Sequence, residues 1–70
     1  MVEIKIEKSG GRWVVSCRAF EAIWDDLDFA ACSALSFAAL MRVETPTLGE
    51  GVPKDALERG HALREKLARL

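Results

Sequence analysis

The sequence predicts an α+β domain in which a small antiparallel β-sheet packs against one long apolar helix, followed by a C-terminal amphipathic helix. Three observations support this fold class. Apolar and charged residues alternate over residues 2–8, residues 29–41 contain no charged side chain, and apolar residues recur at three- and four-residue spacing from Leu57 onward. Strict alternation is typical of a half-buried strand, and the longer spacing is typical of an amphipathic helix.

Length and composition predict a single small domain, residues 1–70. The chain is 50% hydrophobic and 30% charged, with a formal net charge of −1. So much apolar surface favours folding over disorder, while the length excludes several domains or a large cofactor enzyme. The near-zero net charge disfavours a non-specific nucleic-acid binder, because phosphate contacts need an excess of basic residues.

Two strands joined by a glycine turn begin the predicted sheet. The first spans residues 2–8, Gly10 and Gly11 supply the turn, and β-branched and aromatic residues form the second strand over residues 13–18. Glycines between two alternating segments are typical of a hairpin. The residues that share the inner face of this hairpin are Val2, Ile4, Ile6, Trp13, Val15 and Cys17.

The segment 19–24 fits both a strand and a helix, because its apolar residues agree with either spacing. The acidic residues that follow favour a short third strand over residues 22–25 that ends in a turn. Either Asp26 or Asp28 is then the N-cap of the next helix, since aspartate is a favourable residue at that position.

Two helices complete the predicted fold. Helix 28–43 includes the uncharged stretch 29–41, which is too short for a bilayer span of about 20 residues. A helix that is apolar nearly all round must be buried on more than one side, by the sheet and by another element or another chain. The segment 41–47 is a candidate for one more short strand. The last helix is expected over residues 53–69, with Pro53 at its first position.

The candidate catalytic residues are Cys17, Cys32 and His61. Both thiols fall at apolar-face positions, where burial keeps a thiol protonated and unreactive. Two cysteines and one distant histidine neither complete a zinc tetrahedron nor form the disulfide framework of a small secreted domain. We therefore expect reduced thiols, no catalytic site, no metal and no cofactor. The first residues do not resemble a signal peptide, so a cytoplasmic location is expected.

The acidic cluster and the aromatic residues are the candidate contacts with another protein. Four acids between residues 21 and 28 exceed what a helix cap needs, so part of the cluster is expected to dock a basic partner. The aromatic residues form either a plain core or an interface, where buried aromatic anchors dominate the binding energy. The predicted contact residues are Trp24, Asp25, Asp26, Asp28, Phe29, Leu35, Phe37 and Leu40.

A second interpretation assigns the basic residues near the C-terminus to nucleic acid. They are Lys54, Arg59, Arg64, Lys66 and Arg69. No aromatic residue is interleaved with them to stack on bases, and acids dilute the basic stripe. Asp55 and Glu65 stand four residues before Arg59 and Arg69, where each pair stabilises a helix by about 0.2–0.5 kcal/mol. A solvated helix face is therefore favoured, with nucleic-acid binding as the alternative.

The order of elements resembles the HicB-type antitoxin fold. The segment Ile-Lys-Ile-Glu-Lys-Ser-Gly-Gly-Arg-Trp-Val-Val-Ser-Cys, from Ile4 to Cys17, is similar to the start of that family's domain. The alanine-rich stretch from Asp28 to Leu40 is similar to its Asp-capped helix. The similarity covers residues 2–41, and the family's separate C-terminal DNA-binding domain is not expected here. The resemblance implies a module without chemistry of its own that blocks another protein.

These observations lead to the expectation of a small, non-enzymatic inhibitor or antitoxin-like adaptor. Its partner is expected to be another protein, either a toxin or a host effector complex. An anti-CRISPR-like inhibitor encoded by a phage or a mobile element agrees with the small size and the surplus of apolar surface. The uncharged helix also predicts a homodimer, and neither a membrane nor nucleic acid is the expected partner.

Overall fold

The computed structural model describes residues 3–18 and 20–70, which form a four-stranded sheet and two helices. The elements in chain order are β1 (Ile4–Ser9), β2 (Arg12–Cys17), β3 (Phe20–Trp24), α1 (Leu27–Met41), β4 (Thr47–Leu48) and α2 (Ala56–Ala68). The predicted α+β class is confirmed. Val2, which was assigned to the first strand, and Ala19 lie outside the described residues.

The sheet has the strand order β3-β2-β1-β4. The pairs β1–β2 and β2–β3 are antiparallel, as expected for consecutive strands joined by short turns. The three predicted strands form this antiparallel part of the sheet. β4 makes the whole sheet mixed, because it runs parallel to β1, with Lys5 opposite Thr47 and Ile6 opposite Leu48. A parallel pair needs a long crossover, and α1 lies in that connection. Of the candidate strand 41–47, only Thr47 belongs to β4.

The first hairpin turns at Gly10 and Gly11, whose φ angles are 56° and 80°. Glycine adopts these values without steric cost, so Ser9 and Arg12 pair directly across a two-residue turn. In the ambiguous segment 19–24, the strand interpretation is correct for the described residues 20–24. β3 begins at Phe20, two residues before the predicted limit, and ends at Trp24.

α1 begins after Asp26, which occupies the N-cap position, although its side chain makes no capping hydrogen bond. The helix ends at Met41, two residues before the predicted end, because Arg42 adopts a left-handed conformation with φ 58°. The N–H groups of Arg42 and Val43 donate to the carbonyls of Ala39 and Ala38, over 3.4 and 2.9 Å. This pattern satisfies the last carbonyls of the helix without the glycine that usually marks such an end.

α2 begins at Ala56, so the prediction that Pro53 starts this helix is wrong. The carbonyl of Pro53 accepts the Ala56 N–H over 3.1 Å in a turn that precedes the helix, and Asp55 occupies the N-cap position. α2 ends at Ala68, one residue before the predicted limit. It packs on α1 and does not contact the sheet.

The core lies between the sheet and α1. Ile4, Ile6 and Val15 are fully buried, and they meet alanines on the facing side of the helix. Those alanines are Ala30, Ala31, Ala34 and Ala38. The sheet covers one side of α1 and α2 covers a second side. No helix within residues 3–18 and 20–70 is long and apolar enough to cross a membrane.

Candidate partner-binding surface

The third side of α1 is left largely uncovered by the sheet and by α2. Phe29 and Leu40 are 45% and 79% exposed, although both are large apolar side chains. Ser33 and Ser36 lie between them, and the spacing of three or four residues places all four on one stripe of the helix. We call this stripe of Phe29, Ser33, Ser36 and Leu40 the open face of α1.

Aromatic contacts join the open face of α1 to strand β3. The rings of Trp24 and Phe29 are stacked with centroids 6.4 Å apart, and Phe20 meets Phe37 edge to face at 5.0 Å. Phe20 is 48% exposed. Trp24 Nε1 is shielded from solvent and has no acceptor among the residues that the structure describes. β3 and α1 together therefore present an aromatic surface at one edge of the molecule.

The acidic cluster is divided between two sides of the molecule. Asp28 Oδ1 lies 2.7 Å from Arg59 Nε, so this residue connects α1 to α2 and does not border the open face. Asp25 Oδ1 lies 3.3 Å from Arg12 Nε, and both of these side chains are mostly exposed. Asp26 is exposed and belongs to no ion pair within the described residues. At the end of β3, Asp26 is therefore unpaired within the described residues, and Asp25 is held only by an exposed contact with Arg12.

Leu35, which was expected to contact a partner, is only 7% exposed. It lines the cleft between the two helices together with Leu57 and His61. The structure therefore does not support Leu35 as a contact residue. Sequence reasoning also missed Phe20 and Ile23, which are exposed apolar residues of β3. Phe20 lies on the same face of β3 as Ala22 and Trp24, whereas Ile23 lies on the opposite face, so no single pattern indicated both.

The basic residues of the alternative interpretation are aligned only in part, since Arg59 and Lys66 are seven positions apart on one side of α2 while Arg64 lies on another side. Arg59 is engaged by Asp28, and Lys54 precedes the helix. Arg64 and Lys66 are two residues apart on α2, and residues at that spacing do not face the same side. A continuous contact with a phosphate backbone would need basic side chains aligned on one surface.

The structure places two of the candidate catalytic residues in the interior and the third at the surface. Cys17 and Cys32 are both free and buried, which confirms the predicted burial of the thiols. Cys17 Sγ lies 3.5 Å from Met41 Sδ, a contact between two soft, polarizable atoms. His61 is exposed on α2. Across residues 3–18 and 20–70, no three His, Cys, Asp or Glu side chains lie together so as to hold a metal ion.

Comparisons with known proteins give no relative for this chain. No family model, no curated protein and no solved structure matches it. The resemblance to the HicB-type antitoxin fold therefore stays a prediction, as do the activity and the partner that it implies.

Proposed function

We propose that this protein is a binding module without catalytic chemistry of its own, which acts as an inhibitor or antitoxin-like adaptor. It holds another protein, a toxin or a host effector, on the open face of α1. The two free, buried thiols agree with a reducing compartment such as the cytoplasm.

The observation that supports this proposal best is the distribution of side-chain size around α1. Four alanines of this helix are buried against the core, whereas Phe29 and Leu40 are left exposed. Exposed apolar surface costs about 25 cal/mol per Å² relative to burial, and a partner that covers it recovers this free energy. Large apolar residues concentrated on one uncovered surface are typical of an interface.

The spacing of the two exposed residues indicates the shape of the partner. Phe29 and Leu40 are eleven positions apart in α1, which corresponds to about 16 Å along the helix axis. The serines between them are small, so the middle of the open face is shallow. A partner with an apolar ridge of this length, such as one face of an amphipathic helix, would bury both large side chains at once.

The test is to identify the partner and then weaken the open face. Tagged protein captures the partner from a lysate of the cell in which it acts, and the complex is re-formed from purified components. Leu40→Glu should weaken that complex at least about tenfold, because a carboxylate buried in an apolar contact loses its hydration. The matched control is Leu70→Glu, because Leu70 is 97% exposed and lies outside the open face.

Two outcomes would contradict the proposal. Affinity that is unchanged in a folded Leu40→Glu variant would exclude the open face as the contact surface. Capture of nucleic acid, with an affinity that falls steeply as salt rises, would favour the alternative function of the basic residues. Circular dichroism of each variant shows whether the fold is intact.

A further inference from the structure

We infer that two copies of this chain pair through β3, so that their sheets join into one continuous sheet. β3 is an edge strand, and no strand covers its outer side within residues 3–18 and 20–70. Natural edge strands are usually protected by charged side chains, especially lysine, by proline or by a bulge. Glu21 is the one charged residue of β3, whose sequence Phe-Glu-Ala-Ile-Trp contains neither lysine nor proline and pairs regularly with β2 over all five residues.

The register of the sheet shows which backbone groups of β3 are unpaired. Ser9 and Arg12 close a two-residue turn, so they form a hydrogen-bonded pair. Hydrogen-bonded pairs alternate along a strand, so the even-numbered residues of β2 bond to β1 and the odd-numbered residues bond to β3. The β3 partners of the odd-numbered residues are themselves even-numbered. The N–H and C=O groups of Glu21 and Ile23 therefore point outward, to the free edge.

Only one twofold-symmetric register pairs the outward N–H and C=O groups of Glu21 and Ile23 along the whole strand without setting like charges opposite each other. Pairing centred on Ala22 sets Glu21 opposite Ile23 of the second copy and Phe20 opposite Trp24 of the second copy, so all five residues of β3 are paired. Pairing centred on Glu21 would place two carboxylates opposite each other, which is destabilising. Pairing centred on Ile23 would leave Phe20 and Glu21 beyond the end of the other strand.

The charges at the two ends of β3 are complementary in the same antiparallel arrangement. Arg18 precedes the strand, is exposed, and belongs to no ion pair within the described residues. Asp25 and Asp26 follow the strand directly and are also exposed. Antiparallel pairing brings Arg18 of each copy beside these acids of the other, whereas parallel pairing would align like charges. This complementarity favours a second copy over a strand of unrelated sequence.

Pairing through β3 leaves the open face of α1 accessible. α1 packs mainly over β1 and β2, and it reaches β3 through the aromatic contacts of Phe29 and Phe37. With strands about 4.8 Å apart, the two α1 axes of such a dimer would be roughly 20 Å from each other, beyond the 8–10 Å of a direct helix contact. The dimer uses the backbone edge of β3, whereas the proposed function uses the exposed side chains of the open face, so the two proposals can fail independently.

The first test is sedimentation equilibrium of the full chain over a range of concentrations. The wild type should form a dimer. Ile23→Pro removes an outward N–H twice per dimer while leaving the bonds to β2, so the dissociation constant should rise at least about tenfold. Leu40→Glu should leave the dimer unchanged. Circular dichroism and the unfolding midpoint show whether the proline variant is folded.

The second test measures the register and does not depend on proline. In the inferred dimer the two Ala22 residues form a non-hydrogen-bonded pair with Cα atoms about 4.5 Å apart, within the range of a disulfide. Ala22→Cys should therefore link two copies rapidly under mild oxidation. Glu21→Cys is the matched control, because it faces Ile23 of the second copy and should link slowly.

Three results would overturn the inference. The wild type could be monomeric at every concentration. This result would overturn the inference even if the edge of β3 bound an extended peptide in place of a second copy. A folded Ile23→Pro variant could retain the wild-type dissociation constant, which would place self-association on another surface. Finally, both cysteine variants could cross-link at the same rate, which would exclude the register centred on Ala22.

Discussion

The two lateral sides of α1 differ in how their side chains are used. On the covered side, α2 approaches so closely that a Cβ on Gly60 would lie 2.7 Å from Ala31 Cβ. On the open side, Phe29 and Leu40 extend into solvent. The two helices thus approach most closely at the small residues Gly60 and Ala31, whereas the large apolar residues Phe29 and Leu40 remain 45% and 79% exposed.

This contrast separates the residues that stabilise the fold from those available to a partner. The largest fully buried side chains are Ile4, Ile6 and Val15, so the core is made of aliphatic residues of moderate size. Trp13, Trp24 and Phe37 are only partly buried at its margin. Substitutions on the two sides of α1 should therefore differ in their effect on stability.

The largest difference in the free energy of unfolding is expected between a substitution in the core and a substitution in the open face. Ile6→Ala removes a fully buried side chain and should lower the free energy of unfolding by about 2–5 kcal/mol. Leu40→Ala shortens a side chain that is 79% exposed, so it should change the free energy of unfolding by less than about 0.5 kcal/mol. Urea denaturation of the two variants measures both values. A large loss in Leu40→Ala would mean that another part of the chain covers the open face in solution.

The covered side of α1 gives the next largest effect. Gly60→Ala should destabilise the protein by about 1–3 kcal/mol, because the new methyl group would also lie 2.8 Å from the Ala31 carbonyl carbon. This is the reverse of the usual preference, since alanine stabilises a helix by about 1 kcal/mol relative to glycine. The matched control is Ala62→Gly on the exposed side of α2, which should lose about 1 kcal/mol. If Gly60→Ala were stabilising, the close approach of the helices would be excluded.

The sequence was sufficient to predict the elements whose buried residues recur with a simple period. Alternation predicted β1 and β2, because one face of each strand meets the core and the other meets solvent. The uncharged stretch predicted a helix buried on several sides. The assignment of Val15 and Cys17 to the inner face was also correct, because both side chains are buried.

The sequence was insufficient where tertiary contacts decide the outcome. A charge-free helix has no polar side to show its orientation, so Leu35 and Leu40 looked equivalent although only Leu40 is exposed. The parallel pairing of β4 depends on where the chain returns after α1, which no local pattern records. The end of α1 was misplaced because Arg42 occupies a left-handed position that usually indicates glycine.

The surface residues of the open face could be predicted only in part. Phe29, Phe37 and Leu40 were identified from the surplus of apolar area, and the structure leaves Phe29 and Leu40 exposed. Asp28 was assigned to the same surface because it is close in sequence to Asp25 and Asp26. In the structure its partner is Arg59, on a different element, and a long-range pair of this kind has no local signal.

The ion pair of Asp28 and Arg59 gives the smallest predicted effect and tests how the covered side is held. The two side chains are 38% and 43% exposed, so solvent screens their attraction despite the 2.7 Å separation. A double-mutant cycle with Asp28→Asn and Arg59→Gln should give a coupling energy of about 0.2–1 kcal/mol that decreases as salt is added.

The cycle is needed because Asp28 lies in the first turn of α1, where a carboxylate also stabilises the helix through the positive end of its dipole. That contribution is present in Asp28→Asn alone and cancels in the coupling energy. The control cycle pairs Arg59→Gln with Asp55→Asn, the local partner that sequence spacing suggested, and should show no coupling. If Arg59 couples to Asp55 instead, the ion pair stabilises α2 alone, and the contact of Gly60 with Ala31 holds the two helices together without it.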